Sequence, residues 1–464
     1  PLVDYGLDSI LVLQLVNALR EDLPDISPAM IFDAGGVDGL LARCGARQRW
    51  DLSGSQRLVH RDHVRWGGSS TYNLPLLFEI RGELDETALE RAVREQARLH
   101  PVLTAAVVEQ DGVPQLELDP SRTPSFERIE LRAGTRDEQL AALRDLVAEE
   151  FDLATGPLVR AHLVGLPDRR RLLLITAHHL LLDGTSTALL VRGLQDAYGG
   201  SATPPRATFG DFTAWERDLL TGPGARAHRD FWLRELDGAP TNLALPHDRR
   251  PEPDRMPRIR VLTREVPAQQ ADALAAWAAR HRTGLATALF ATWVVFLGKV
   301  TGQRDLVAGL TAAARPEERF QDVVGQFATR LPIRCTTTGD PAEVLESLRD
   351  KVLAGIEHSA YPLREIARAL GREDEPLART NFLFQNFAGA DLLTGEAAGE
   401  PRLHPFADLP YTGEHALAAE VYRSGAGFKV FLKYDANLFD DATARRLADE
   451  WFSSLRAGSG AQEL

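Results

Sequence analysis

The run Leu172-Leu-Leu-Ile-Thr-Ala177, led in by Arg170-Arg171 and ended by His178-His179, constrains this chain more than any other stretch. It is too short for a helix of ordinary length and too apolar for a loop, so it predicts a buried strand. The sequence around it alternates in the same way. Residues 74–81 are strand-like, Asp85 caps a helix with Leu89, Ala92, Val93 and Leu99 on one face, and residues 103–108 return to strand. A second such region follows the Pro-rich surface connection at 245–253, with helices near 268–281 and 284–300 and a strand at 306–310. An α/β (α+β) fold in two lobes, joined near residues 220–260, is expected.

The first 45 or so residues have a different texture. Asp8-Ser9 precedes a run whose apolar positions 11, 12, 15, 16 and 19 fall on one helical stripe, so Asp8 or Ser9 is a natural N-cap. Ser27-Pro28 opens a second short helix, Gly35-Gly36 ends it, and residues 37–44 supply a third. This mildly acidic helical unit is too small to be very stable alone. Pro1 stands where an initiator methionine would, so the chain is expected to begin inside a domain of a longer protein.

Composition narrows the function classes. A formal net charge of −13 argues against a general nucleic-acid binder, which needs a cationic surplus to displace counterions from phosphates. The longest nearly apolar stretch, residues 284–298, falls short of a bilayer-spanning run and reads as a buried helix. Cys44 and Cys335 have no metal-ligand or redox spacing and read as two reduced thiols of a cytosolic protein.

Two places carry candidate chemistry. In His178-His179-Leu-Leu-Leu-Asp183-Gly184-Thr185-Ser186, adjacent side chains on an extended backbone point to opposite faces, so the two imidazoles need not share a ligand. One ring facing inward as structure and the other facing a cavity as a proton acceptor is the economical division. A buried structural pair and a metal site stay open on spacing alone. Asp183 can orient a ring or pair with an arginine, and Gly184 lets a substrate approach the backbone. Ser9, in Tyr5-Gly6-Leu7-Asp8-Ser9-Ile10, is either a helix cap or a modified hydroxyl. No Gly-x-Ser-x-Gly elbow surrounds it, which argues against a serine nucleophile.

At these residues the chain resembles a known family. His178-His179-x-x-x-Asp183-Gly184 resembles the signature of nonribosomal peptide synthetase condensation domains, and Gly6-Leu7-Asp8-Ser9-Ile10 the attachment motif of a peptidyl carrier protein. Further family-like segments follow in order: Leu52-Ser-Gly-Ser-Gln56-Arg57-Leu58, Phe151-Asp-Leu-x-x-Gly156-Pro157-Leu158, Asp211-Phe212-Thr-Ala-Trp215, Arg315, Val324-Gly325-Gln-Phe327-x-Thr329, and Tyr361-Pro362 with Asn381-Phe-Leu-Phe-Gln385-Asn386. The resemblance implies a truncated carrier at 1–45, a linker at 46–51, and two chloramphenicol-acetyltransferase-like lobes in a V at 52–225 and 226–464. It implies 4′-phosphopantetheine on Ser9 as cofactor, with no metal or nucleotide. His179 would be the catalytic residue that contacts the acceptor amine, with His178, Asp183, Gly184 and Ser186 structural or positioning. The implied partners are a downstream acceptor carrier, neighbouring synthetase domains and a phosphopantetheinyl transferase, with no nucleic acid and no membrane.

The sequence departs from the common pattern at Thr185, where amide-forming members often have Trp, at Ala328, where Asn is common, and at 98–104, where the second arginine of the motif is missing. These departures leave a dehydrating or otherwise modifying variant open beside plain amide formation. A non-catalytic carrier-docking platform and a free-standing CoA-dependent acyltransferase are the readings from other classes.

Overall fold

The computed structural model describes residues 9–19, 26–33, 48–68, 70–132, 134–252, 255–338, 340–373, 375–385, 400–406, 409 and 413–458. Residues 5–8, the third N-terminal helix at 37–44, Cys44 and Asn386 lie outside that set. The described helices are α1 (Ser9–Leu19), α2 (Pro28–Asp33), α3 (Gly54–Arg65), α4 (Glu86–Leu99), α5 (Arg136–Ala148), α6 (Gly184–Tyr198), α7 (Phe209–Thr221), α8 (Gly224–Glu235), α9 (Ala268–Arg280), α10 (Leu285–Thr301), α11 (Pro341–Glu357), α12 (Leu363–Ala369) and α13 (Asp441–Gly458). The strands are β1 (Gln48–Asp51), β2 (Asn73–Arg81), β3 (Ala105–Gln110), β4 (Val113–Leu118), β5 (Ser125–Glu130), β6 (Val159–Gly165), β7 (Arg171–His178), β8 (Ile259–Val266), β9 (Asp305–Ala313), β10 (Ala328–Thr336), β11 (Thr380–Gln385), β12 (Arg402–Pro405), β13 (Leu417–Ser424) and β14 (Gly427–Asp435).

These form two α/β lobes. The N-lobe is built on a five-stranded sheet ordered β12-β2-β7-β6-β5, with a small β1-β4-β3 sheet beside it, and the C-lobe on a six-stranded sheet ordered β10-β9-β11-β13-β14-β8. The expected buried strand is β7, central in its sheet, with Leu172, Leu173 and Leu174 all at 0% exposure. Short polar signals set the helix starts: Ser53 and Gln56 form a capping box on α3, Thr135 and Glu138 on α5, and Asp85 caps α4 through the Ala88 amide. Gly302, at φ +68°, ends α10 in the left-handed conformation that glycine adopts at least cost.

Residues 284–298 belong to α10, whose Phe290, Trp293, Phe296 and Leu297 are buried in the C-lobe core with Trp232 and Trp451. Among the described residues no single helix is long and apolar enough to cross a membrane, and α9 and α10 meet at a 99° bend. In the N-terminal unit α1 opens at Ser9, and Val12 and Val16 pack on Ile26 and Ile31.

Some local expectations need correction. Leu11, placed on the apolar stripe of α1, is exposed, because Val12 and Val16 lie centrally on the buried face. Residues 101–104 form a 3-10 turn that opens at Pro101, so β3 begins only at Ala105. Residues 48–51, read as linker, are strand β1, held antiparallel to β4 from Gln48↔Leu118 to Asp51↔Gln115. Within the Pro-rich connection Leu245 is buried in the C-lobe core while residues 248–252 are exposed.

The lobes are not cleanly separated along the chain. The connection between β9 and β10 leaves the C-lobe and buries Phe320, Val323, Val324 and Phe327 in the N-lobe core. Strand β12, from the C-terminal half, pairs with the end of β2, Leu403↔Ile80 and Pro405↔Phe78, and puts Leu403 into the same core. Leu403→Ala is therefore expected to cost about 2–5 kcal/mol, whereas Leu353→Ala, exposed on α11, stays within about 0.5 kcal/mol. Denaturant unfolding of the two variants checks the difference.

Candidate active site

Strand β7 ends at His178, and the chain turns through Leu180, Leu181 and Leu182, all fully buried, before α6 starts at Gly184. The turn is held from outside: the His179 amide donates to the Tyr72 carbonyl at 2.7 Å, and Gln56 Nε2 donates to the Leu180 carbonyl at 2.8 Å. The capping glutamine of α3 thus braces the histidine loop.

The two imidazoles point to opposite sides, as alternation on an extended backbone predicts. His178 is fully buried, and its Nδ1 accepts from the Leu180 amide at 3.1 Å. The proton therefore sits on Nε2, which donates to His63 Nδ1 at 3.3 Å. Burial, with smaller effects from His63 and His179, holds the His178 ring well below the usual imidazole range. His179 faces the other way. Its Nδ1 lies 2.6 Å from the Leu182 carbonyl, an acceptor, so Nδ1 carries the proton and the basic lone pair is on Nε2. Burial lowers the proton affinity of His179, and Leu182, Glu414 and Asp183 partly restore it. The rings do not converge on a shared ligand position.

Asp183 points away from both rings. It caps α6 through the Ser186 amide at 2.7 Å, accepts from the Phe327 amide at 3.1 Å, and pairs with Arg315 at 3.3 Å, with both side chains nearly inaccessible. Ser186 completes the junction: its hydroxyl lies 2.7 Å from the Gly325 carbonyl, 3.0 Å from the Gly325 amide and 2.9 Å from Arg315. Arg315 also donates to the carbonyls of Phe320 and Val323 and lies over the Phe327 ring at 4.0 Å. Gly325 has to be glycine, since a Cβ there would stand 2.0 Å from Phe209.

His179, Asp183 and Gly184 line a cavity of about 1140 Å³ bounded by both lobes. That exceeds the roughly 300–1,000 Å³ of a pocket for one small molecule. Thr185 and Ala328, two of the departures noted above, line it as well, so they alter its wall and leave the scaffold intact. The third departure lies away from this wall, in a segment whose Val102 and Leu103 are buried in the N-lobe core.

Several residues of the cavity wall were not expected from the sequence. Arg330 of β10 pairs with Glu414, beside which His415 lies at 3.4 Å. Burial opposes the charge on Glu414, but His415 and Arg330 hold its carboxyl below the usual range. Burial and Arg330 also disfavour protonation of His415, so the guanidinium is the partner that keeps Glu414 ionised near neutrality. Lys433 of β14 pairs with Glu420 of β13, whose other oxygen accepts from the Tyr422 hydroxyl at 3.1 Å. The usable signal was period-2 alternation: Ala418, Glu420, Tyr422 and Ser424 share one sheet face and line the cavity.

Ser9, to which the resemblance assigns the phosphopantetheine arm, is the first residue of the 11-residue helix α1.

Known proteins bear on the same features. Residues 49–458 match the condensation-domain family and residues 1–44 the phosphopantetheine attachment site family. The chain is similar to malpinin synthetase of Mortierella alpina, 30% identical over 399 residues, covering 82% of this chain and 5% of that protein. It is also similar to one of the linear gramicidin synthase proteins of Brevibacillus parabrevis, 28% identical over 495 aligned positions, covering 98% of this chain and 10% of that one. This chain thus spans a small part of the curated relatives it matches. A solved structure of the condensation domain from monacolin K polyketide synthase shares the fold, with a TM-score of 0.77 at 18% identity over 89% of this chain and 98% of that one.

Removing Asp183 leaves Arg315 buried without its counterion, so Asp183→Ala is expected to cost about 3–5 kcal/mol, and His179→Ala less, as measured by denaturant unfolding. Because burial holds His178 and His179 below the ordinary imidazole value, the unfolded chain binds protons first as pH falls. Their contribution makes stability decline as pH drops through about 6.5. Unfolding midpoints on either side of that pH check the sign.

Proposed function

From the premise that this chain belongs to the condensation-domain family, whose members are acyltransferases forming peptide bonds in nonribosomal peptide synthetases, we propose that it is a carrier–condensation segment. In this reading it transfers the acyl or peptidyl group held on its own N-terminal carrier to an acceptor amine, forming an amide. The observation that carries the reading is the tautomer of His179: Nδ1–H is committed to the Leu182 carbonyl, so the basic lone pair is on Nε2, and the ring stands at a cavity walled by both lobes.

Bound to Ser9, the arm supplies the acyl group as a thioester, already activated for transfer. The protein is left to position an amine and manage its proton. As the acyl carbon exchanges its bond to sulfur for one to nitrogen, His179 Nε2 accepts the proton that the nitrogen sheds and returns it to the departing sulfur, which leaves as the thiol. The lowered proton affinity of His179 keeps it neutral, and so able to accept, at physiological pH. His178, through His63 and Leu180, fixes the strand end from which His179 projects. Asp183 and Ser186 hold the start of α6, which places the Gly184 backbone on the cavity. The partners this requires are an acceptor carrier, neighbouring synthetase domains and a phosphopantetheinyl transferase.

The test uses the chain treated with a phosphopantetheinyl transferase and acyl-CoA, then mixed with a separately loaded acceptor carrier, with products read by intact-protein mass. Loading is expected to be lost in Ser9→Ala, and His179→Ala is expected to slow amide formation by about 10²–10⁴. Undiminished turnover in His179→Ala overturns its role. A fully loaded unmutated protein that makes no amide favours a docking platform instead.

A further inference from the structure

Helix α3 grips the histidine loop at two points. Gln56, near its start, donates to the Leu180 carbonyl, and His63, about two turns later, takes the Nε2–H of His178. His63 is 7% exposed and is not among the described residues that line the large cavity. The rings of His63 and His178 meet edge to face, with centroids 5.1 Å apart. The other nitrogen of His178 is committed too, since Nδ1 accepts from the Leu180 amide at 3.1 Å. That bond joins residue 178 to residue 180 and leaves His179 at the apex of the short loop it closes.

Such a series of bonds admits one arrangement of protons. A neutral imidazole has one donor and one acceptor, and a charged one has two donors. With the Leu180 amide on Nδ1, His178 carries its proton on Nε2 and points it at His63 Nδ1, which has to hold a lone pair. A proton added to His63 goes to that nitrogen and sets two N–H groups against each other. His178 cannot answer by changing tautomer, because Nδ1–H then opposes the Leu180 amide. The ring has to turn, and turning it opens the contact that closes the loop around His179. The groups whose charge acts on His63 are His60 on α3 itself, His178 on β7, and Glu150 and Asp152 on the segment before β6. Burial and His60 lower the proton affinity of His63 and the two carboxylates partly restore it, so it stays neutral at physiological pH and titrates below the ordinary imidazole value.

We propose that His63 is a positioning residue for the condensation step: as a neutral imidazole it holds the His178 ring, and with it the loop that presents His179, and its protonation releases that hold. This rests on the condensation reading for the role of His179, so the test includes a measurement that needs no turnover. Amide formation between the loaded chain and a loaded acceptor carrier is followed from about pH 5.5 to about pH 8 in the unmutated chain, His63→Ala and His63→Gln. Alanine offers nothing to His178, whereas glutamine offers a carbonyl oxygen that does not titrate. Near the upper end of that range His63→Ala is expected to lower kcat about tenfold or more with KM within about twofold, because His63 acts behind the cavity wall. His63→Gln is expected to recover most of that loss. Below about pH 6.5 its rate is expected to fall with a slope one proton shallower than that of the unmutated chain.

In parallel the unmutated chain, labelled with nitrogen in its histidine rings and free of substrate, is titrated by NMR, with signals assigned by substitution. The Nε2–H of His178 and the Nδ1–H of His179 are expected to shift or broaden at the midpoint of the His63 ring. Signals of His178 and His179 that hold steady while His63 titrates overturn the proposal. So do superposed pH profiles of the unmutated chain and His63→Gln, or a kcat of His63→Ala within about twofold of the unmutated value. Should His63→Ala unfold, the pH profile of His63→Gln decides the question. If no amide forms in any of the three proteins the condensation reading fails, and the NMR titration still decides this one.

Discussion

The buried ion pair between Asp183 and Arg315 ties the histidine loop of one lobe to a connection that leaves the other. Arg315 satisfies two carbonyls of its own loop, lies over Phe327 and reaches Asp183 and Ser186, while Asp183 also takes the amides of Ser186 and Phe327. A charge pair buried this deeply persists when its remaining hydrogen-bonding capacity is met, and nearly all of it is. Its consequence is positional. The start of α6 and the turn carrying His179 are referenced to the C-lobe, so cavity walls from both lobes are set relative to the same imidazole.

The aromatic packing around this junction explains motifs that touch no substrate. Phe212 packs on Phe327 at 4.5 Å and stacks with Trp215, and both reach Phe320. These side chains seat the β9–β10 connection in the N-lobe core. Pro362, at the start of α12, occupies the space where a Cβ on Gly54 would lie, 2.3 Å away. The sequence segments around these residues are recognisable because close packing between lobes restricts them, whereas the chemistry itself needs few groups.

Legibility in the sequence followed the range of the interactions. The strand β7, the cap of α4 and the helices α9 and α10 were readable because periodicity and capping act within a few residues. The opposed directions of His178 and His179 were readable for the same reason. The partners of those rings were not, since His63 lies 115 residues from His178. Arg330, Glu414, Glu420 and Lys433 were missed because nothing in their neighbouring sequence singles out these charges. Their common cavity exists only once β10, β13 and β14 lie in one sheet facing the N-lobe. Strand β1 was missed because its short polar sequence is stabilised by pairing to β4, more than sixty residues away.

Local stereochemistry, which a few neighbouring residues settle, set the order of a helical unit and two α/β lobes directly in the sequence. It likewise set the strand that ends in paired histidines, the opposed directions of those histidines and the serine that opens α1. The folded molecule was needed to establish which arginine neutralises Asp183, which carbonyl sets the tautomer of His179, and that Arg330, Glu414, Glu420 and Lys433 line the same cavity as His179. Such contacts join residues far apart in the chain, and their geometry is set by the packing of whole sheets.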